Sequence, residues 1–264
     1  MKNLVTQNPL HLALYGVLMG ALLWGGCKKD DDKIPESCEG IHWEYEGEEG
    51  PSHWGELCVG YSDCAGSTQS PVDIKGAVAD ATLAAIAKSY GTSKTSILNN
   101  GHTIQFNYDA GSSITVNGEQ YDLLQFHFHT HSEHLVNGTS YPMEVHLVHK
   151  NAASGKLAVI GVFFEEGAEN ALLKKYLSNL PATADATYTS NDTFAAADLL
   201  PAGTGYYTYG GSLTTPPCSE IVTWIVMKGH ISATHDQIAQ IEALEHENFR
   251  PVQDLHGRTI KVFN

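Results

Sequence analysis

The sequence predicts a strand-dominated α+β domain. Three observations carry this. Most apolar runs are short and rich in β-branched and aromatic residues. Glycine and proline interrupt them often, with 25 Gly and 10 Pro in 264 residues. Only two stretches keep a helical character. With a leader removed, roughly 240 residues remain, enough for one domain with a substantial core. No internal repeat is visible.

The elements follow in chain order. Ser96 to Leu98 is strand-like and leads into Asn99-Asn100-Gly101-His102. Ile104 to Tyr108 and Ser113 to Val116 read as strands. In Leu124 to His129 successive side chains alternate faces. Gln125, His127 and His129 then share one side, and Leu124, Phe126 and Phe128 are expected to bury on the other. Val145 to Val148 reads as a strand carrying His146, with Glu144 on the face of His146. Leu157 to Phe164 and Ile221 to Met227 look like buried strands. Glu169 to Leu180 and His235 to Asn248 are expected to be helices. Pro216 and Pro217 lack N–H donors, so the Thr214 segment must be a loop and not a central strand.

The chemistry sits in the histidines. The chain has 14, and His127, His129, His131, His134, His146 and His149 crowd one short region. A single strand histidine is usually a surface or satisfied core residue. Two on one strand face are different, because each imidazole makes charging the other costlier. Three neutral imidazoles and one open position suit a catalytic zinc site. Imidazoles on a metal usually give their second N–H to an oxygen acceptor, and Gln125 and Glu144 are placed to receive it. His131, His134 and His149 read as hydrogen-bonded scaffold or surface residues.

Eight motifs, in order, resemble the α-class carbonic anhydrases: HWEY (42–45), QSPVDI (69–74), NNGH (99–102), QFHFH (125–129), SEH (132–134), EVHLVH (144–149), GSLTTPPC (211–218) and NFRPVQ (248–253). The resemblance implies a large, twisted, mostly antiparallel central sheet with short surface helices, over residues 38–264. It implies zinc-dependent, reversible hydration of carbon dioxide to bicarbonate and a proton, by attack of a zinc-bound hydroxide. His127, His129 and His146 correspond to the zinc ligands, one Zn2+ per chain. Gln125, Glu144 and the Asn248 carbonyl correspond to the acceptors behind them. Thr214 matches the residue whose hydroxyl links the hydroxide to a buried glutamate, here Glu133. His102 stands where the family places its proton shuttle. Val148, Val159, Leu213, Val222 and Trp224 match the apolar wall that receives carbon dioxide. Thr215, Tyr45, Asn100 and Gln105 match the polar wall that orders water.

Some positions depart from the family. His131 stands where bacterial relatives often have proline. Thr130 and Lys150 replace aromatic residues common in animal enzymes, and Gln105 replaces a frequent asparagine. None is a ligand. Two competing readings remain open from the sequence. One is an inactive relative used for binding, which would typically have lost a ligand. The other is a metal cupin, since His127-x-His129-x3-Glu133 fits part of that motif; its flanking glycines are missing, with Tyr121 and Ser140 in their places.

The formal net charge is −15, and no basic patch appears, which argues against a nucleic-acid partner. Residues 1–26 look like a signal peptide: Lys2 precedes an apolar run from Leu10 to Trp24, too short for a membrane span. Cys27 follows Trp24-Gly25-Gly26 as in a lipoprotein cleavage site. Residues 27–37 then form a charged tether, and the run Lys28 to Asp32 resembles a surface-export signal or is a plain linker. The expectation is an exported lipoprotein of a Gram-negative envelope, periplasmic or on the outer membrane or cell surface, anchored through lipid on Cys27. The remaining Cys38, Cys58, Cys64 and Cys218 allow three connectivities. The family pattern implies a Cys64–Cys218 bridge, which leaves Cys38 and Cys58.

Overall fold

A computed structural model describes residues 34–264. The signal peptide, Cys27 and the tether up to Lys33 lie outside the described residues. A short helix, α1 (Trp54–Leu57), comes first, then the small strands β1 (Asp73–Ile74), β2 (Val78–Ala79) and β3 (Ala87–Ser89). The main strands begin with β4 (Thr92–Asn99), β5 (Ile104–Asn107), β6 (Ser113–Val116) and β7 (Glu119–His129), and β8 (Leu135–Val136) follows. Next come β9 (Met143–Lys150), β10 (Leu157–Glu166), α2 (Ala171–Tyr176), β11 (Thr187–Ala195) and β12 (Tyr206–Gly211). The chain ends with β13 (Val222–Met227), β14 (Ile231–Ala233), α3 (His235–Glu245) and β15 (Lys261–Phe263).

Thirteen of these strands form one sheet, with the main order β11-β4-β5-β7-β9-β10-β13-β12-β15-β2. Antiparallel pairs predominate, as expected, but the central pair β10–β13 is parallel. A parallel pair needs a long crossover, and the chain from Gly167 to Ile221 provides it through α2, β11 and β12. β10 is buried from Leu157 to Phe164, as a strand covered on both faces must be.

One expectation about β7 needs correction. The register shifts between Leu123 and Gln125, leaving Leu124 as an extra residue. Alternation therefore breaks there. Leu123 goes into the core at 2% exposure, and Leu124 is 44% exposed. Phe126 and Phe128 are fully buried as expected. The bulge turns the strand so that Gln125, His127 and His129 hold the opposite face.

The helices are shorter than their sequence patterns. Asn170 caps α2 by accepting from the Leu172 and Leu173 N–H groups, and the last turn, Leu177–Asn179, is a 3-10 helix. Thr234 and Gln237 form a capping box at the start of α3. α3 stops at Glu245 because His246 has a φ of +56°, outside the helical region. Asn248 is thereby freed from the helix, and its carbonyl can turn to the sheet.

The sheet separates two apolar clusters. Phe106, Phe126, Phe128, Ile160 and Ile225 belong to the larger. Val159, Phe163, Val222, Trp224 and Val226 belong to the other. The disulfides are Cys38–Cys58 and Cys64–Cys218. Among the described residues, no helix is long and apolar enough to cross a membrane.

Candidate metal centre

Register brings the histidines together. His127 on β7 lies directly opposite His146 on β9, and His129 lies opposite Glu144. Gln105 on β5 faces His127 from the other side. On β10 the residue opposite His146 is Gly161. A Cβ there would meet Glu144 Oε1 at 2.7 Å. Only glycine leaves room for the Glu144 carboxylate behind His146.

One nitrogen from each of His127, His129 and His146 lies within 4.8 Å of the others. The second nitrogens face oxygens. His127 Nδ1 lies 2.8 Å from Gln125 Oε1. His129 Nδ1 lies 2.7 Å from the Asn248 carbonyl, and His146 Nε2 lies 2.9 Å from Glu144 Oε1. Each ring donates to its oxygen, which leaves Nε2 of His127, Nε2 of His129 and Nδ1 of His146 as bare lone pairs. His129 Nε2 is buried with no hydrogen-bond partner. A buried polar atom without a partner is costly, and a metal ion held by the three rings would satisfy it. Burial and the two neighbouring imidazoles push His127 well below the usual histidine range. Burial also lowers His129, against the pull of Glu133. Neutral imidazoles are what a metal needs as ligands. The donor set fits zinc.

Behind this face lies a buried polar chain. Glu144 Oε1 also accepts from His134 Nδ1 at 2.8 Å, and Glu144 Oε2 from the His134 N–H at 2.9 Å. His134 Nε2 meets the Tyr209 hydroxyl at 2.6 Å, and Tyr209 reaches Ser70 Oγ at 3.1 Å. Burial alone would raise the Glu144 carboxyl, but His134 and His146 outweigh it and hold it well below the usual range. His134 is thus scaffold, as expected, although it joins a second His134–Glu144–His146 group of possible ligand geometry. His146 cannot serve both groups at full strength, and its hydrogen bond to Glu144 commits Nε2 away from the three-histidine set.

Glu133 Oε1 accepts from the Arg250 N–H at 2.8 Å. Glu133 Oε2 is buried without a hydrogen-bond partner, 3.7 Å from His129 Nε2 and 3.8 Å from His146 Nδ1. Thr214 is buried in the loop before Cys218, which is closed by a bond from the Leu213 N–H to the Ser219 carbonyl. Val159, Val222 and Trp224 lie in one apolar cluster, with Val148 and Leu213 packed on it. The Trp224 ring centre is 4.7 Å from that of His146.

The polar side differs in detail from the expectation. Gln105 Nε2 donates to Asn107 Oδ1 at 2.6 Å. Asn100 Oδ1 accepts from the N–H groups of His102 and Thr103, at 3.0 and 2.8 Å, so it folds the turn. Gly101 has a φ of +89°, which that turn requires. His102 is half-buried and stacked on Trp43, with ring centres 3.7 Å apart. It lines a cleft of about 480 Å3 with Tyr45 and Glu245. Burial lowers its pKa.

Sequence reasoning assigns no role to Gly161, Tyr209, Ser70, Trp43, Glu245 or Arg250. Arg250 is buried and donates to Gln69 Oε1, the Ser70 carbonyl and the Cys64 carbonyl. Ser70 and Arg250 stand inside the motifs QSPVDI and NFRPVQ. An arginine and a serine placed among apolar neighbours are the available signals. Glu245 carries none.

Fold and site together define an enzyme with three histidines placed to hold a metal ion at the middle of a large mixed sheet. Residues 49–264 match the eukaryotic-type carbonic anhydrase family. A carbonic anhydrase from Pectobacterium carotovorum is 40% identical over 224 residues, 84% of this chain and 91% of that protein. A hyperthermostable carbonic anhydrase from an active hydrothermal vent chimney superposes with a TM-score of 0.81 at 47% identity, covering 84% of this chain and 100% of that one. The Thermovibrio ammonificans α-carbonic anhydrase, solved with the inhibitor sulfanilamide, gives a TM-score of 0.81 at 40% identity, covering 84% and 99%. The chain belongs to the eukaryotic-type, or α-class, carbonic anhydrase family, and its activity is the hydration of carbon dioxide. The cupin alternative is set aside by this fold.

Proposed function

We propose that the chain carries out reversible hydration of carbon dioxide as a zinc enzyme, with the metal on His127, His129 and His146 and the proton leaving by His102. One observation carries this: three inward imidazole nitrogens whose partner nitrogens are all committed to Gln125, Asn248 and Glu144. Zinc, when bound, supplies a water-derived nucleophile near neutral pH, a property for which carbonic anhydrase is the standard example.

The protein's own residues do the rest. Gln125, Asn248 and Glu144 fix each ring's tautomer and direction. The Thr214 hydroxyl would orient the attacking oxygen's lone pair, with the free Glu133 Oε2 as the acceptor available to it. Carbon dioxide has no net charge or dipole, so Val148, Val159, Leu213, Val222 and Trp224 form a wall that receives it and releases charged bicarbonate. Tyr45, Gln105 and Thr215 order water on the opposite side, while Asn100 folds the turn that carries His102. His102 takes a proton through that water and passes it to solvent. An aromatic sulfonamide, as in the Thermovibrio protein, would compete in this cavity.

The deciding experiment is carbon dioxide hydration by metal-depleted protein before and after zinc is restored. Full activity without zinc would refute the reading. We further infer an exported lipoprotein, periplasmic or at the outer membrane or cell surface, with acyl chains on Cys27; two or three chains anchor firmly where one does not. Mass spectrometry of the mature N-terminus checks it, and an unmodified residue there overturns it.

A further inference from the structure

Glu245 ends α3, and its carboxyl is buried against the loop that carries His102. Glu245 Oε1 lies 2.6 Å from Ile104 N and 2.9 Å from Thr103 Oγ1. Thr103 Oγ1 also lies 3.1 Å from the Phe128 carbonyl, next to His129. A threonine hydroxyl has one proton to give. The Phe128 carbonyl already accepts from Asn248 Nδ2 at 3.0 Å, and the shorter of the two Thr103 contacts has its hydroxyl donating to Glu245 Oε1. Glu245 Oε1 thus accepts from both the Ile104 N–H and the Thr103 hydroxyl.

The surroundings favour the neutral acid. Glu245 Oε2 is buried and has no hydrogen-bond partner. An ionised carboxylate would leave that oxygen bare. The cleft beside it is lined by Glu44, Tyr45 and Glu46 from the N-terminal segment, His102 from the loop, and His246 and Glu247 beyond the helix. None is a lysine or arginine. Burial pushes the Glu245 carboxyl up to about 8, and its hydrogen bonds only partly offset that. Tyr45 is itself raised by burial, with Glu133, Glu245 and Glu44 adding to the effect.

We propose that Glu245, as a neutral carboxylic acid, is a positioning residue for proton exit: it clamps Thr103 and Ile104 beside the Phe128 carbonyl and so holds His102 at the cleft. The proposal rests on reading His102 as the proton carrier. Loss of the Glu245 proton places an unpaired charge under the loop, on an oxygen that nothing bonds. The clamp then loosens, and the proton-exit step slows while carbon dioxide attack at the metal does not.

The test pairs spectroscopy with kinetics. Infrared difference spectra of wild type and Glu245→Gln at pH 7 should show one protonated carboxylic acid that the variant lacks, with or without zinc. The protection of the Ile104 amide, relative to its intrinsic exchange rate, should fall above pH 8 in wild type and not in Glu245→Gln. In weak buffer, wild-type kcat should bend downward several-fold above pH 8 while that of Glu245→Gln stays level. Glu245→Leu, which can bond neither Ile104 nor Thr103, should lose kcat several-fold with kcat/KM preserved, and imidazole buffer should restore it. Absence of the infrared band overturns the neutral clamp, whatever the activity. Equal loss of kcat and kcat/KM in Glu245→Leu overturns the positioning role. If His102→Ala leaves kcat unchanged while the band and the Ile104 protection persist, the clamp stands and the proton-carrier reading fails, and with it the role proposed for Glu245.

Discussion

Glu144 and His146, two residues apart on β9, are joined side chain to side chain: Glu144 Oε1 accepts from His146 Nε2 at 2.9 Å. The bond fixes which nitrogen of His146 remains free, and His146 Nδ1 is the one that faces His129 and Glu133. Replacing His146 with Ala should remove most zinc and nearly all activity. Glu144→Gln should keep the site but weaken zinc by about 10–100-fold, the usual effect of losing such an acceptor. Elemental analysis and chelator competition measure both. Full zinc occupancy in His146→Ala would show the ligand set to be wrong.

Glu133 approaches the ligand nitrogens without bonding to them. Its Oε2 lies 3.7 and 3.8 Å away, while Oε1 is held by the Arg250 N–H. We expect it to orient Thr214 rather than bind metal. Glu133→Gln should therefore retain zinc and lose rate by at least about tenfold, the scale of one misplaced hydrogen-bond donor near the reacting atoms. Loss of the metal instead would make Glu133 a ligand.

The Cys64–Cys218 bridge closes 154 residues of separation and pins the Thr214 loop to the N-terminal segment. The chain-entropy account allows a loss of up to about 5 kcal/mol on its removal, with strain and residual structure reducing that. The Cys64→Ser/Cys218→Ser protein should melt well below wild type. Equal melting temperatures would leave the bridge without a stabilising role.

His149 makes acid stability measurable. Its Nδ1 donates to the Ala158 carbonyl at 3.1 Å and its Nε2 receives the Tyr90 hydroxyl at 2.8 Å, an arrangement for the neutral ring. Burial lowers its pKa from 6.5 to about 4. A depressed folded pKa gives stability that is present above pH 6.5 and drains away as pH falls through 4. The loss is at most about 3 kcal/mol. His149→Gln should be less stable than wild type at pH 7, and the gap should narrow toward pH 4. Denaturant melts across that window decide it, and a constant gap would mean the ring is not held neutral.

Much of the centre is legible in the sequence because strand alternation is a two-residue rule. His127 with Gln125, and His146 with Glu144, need only that rule. The Leu124 bulge is not legible, since Leu123 and Leu124 are the same residue type and only pairing with His149 and Val148 decides which one buries. β11 escapes the pattern because Thr187 to Ala195 is mostly polar, and β12 because its Tyr206 to Gly211 run ends in two glycines. The helical pattern carries α3 on to Asn248, since nothing in Glu245-His246-Glu247 signals a helix stop, yet the stop at Glu245 frees the Asn248 carbonyl for His129. Glu245 reads as one more surface acid, because burial by a distant loop leaves no local mark.

His102 decides how fast the cycle can turn. It sits in the turn folded by Asn100, its ring stacked on Trp43 and half-buried beside the cleft. Its Nδ1 is buried without a hydrogen-bond partner. Burial lowers its pKa below 6.5, which keeps the ring neutral and ready to accept a proton at pH 7. Proton exit follows the attack on carbon dioxide. A lost carrier therefore lowers kcat and leaves kcat/KM for hydration nearly untouched. His102→Ala in weak buffer should drop kcat by about tenfold or more, at the low end for a missing proton-transfer group because solvent still offers a slow path. Added imidazole should restore much of that rate by acting as a mobile carrier. A kcat that does not move in His102→Ala, or one that imidazole cannot lift, would place the exit route elsewhere in the cleft.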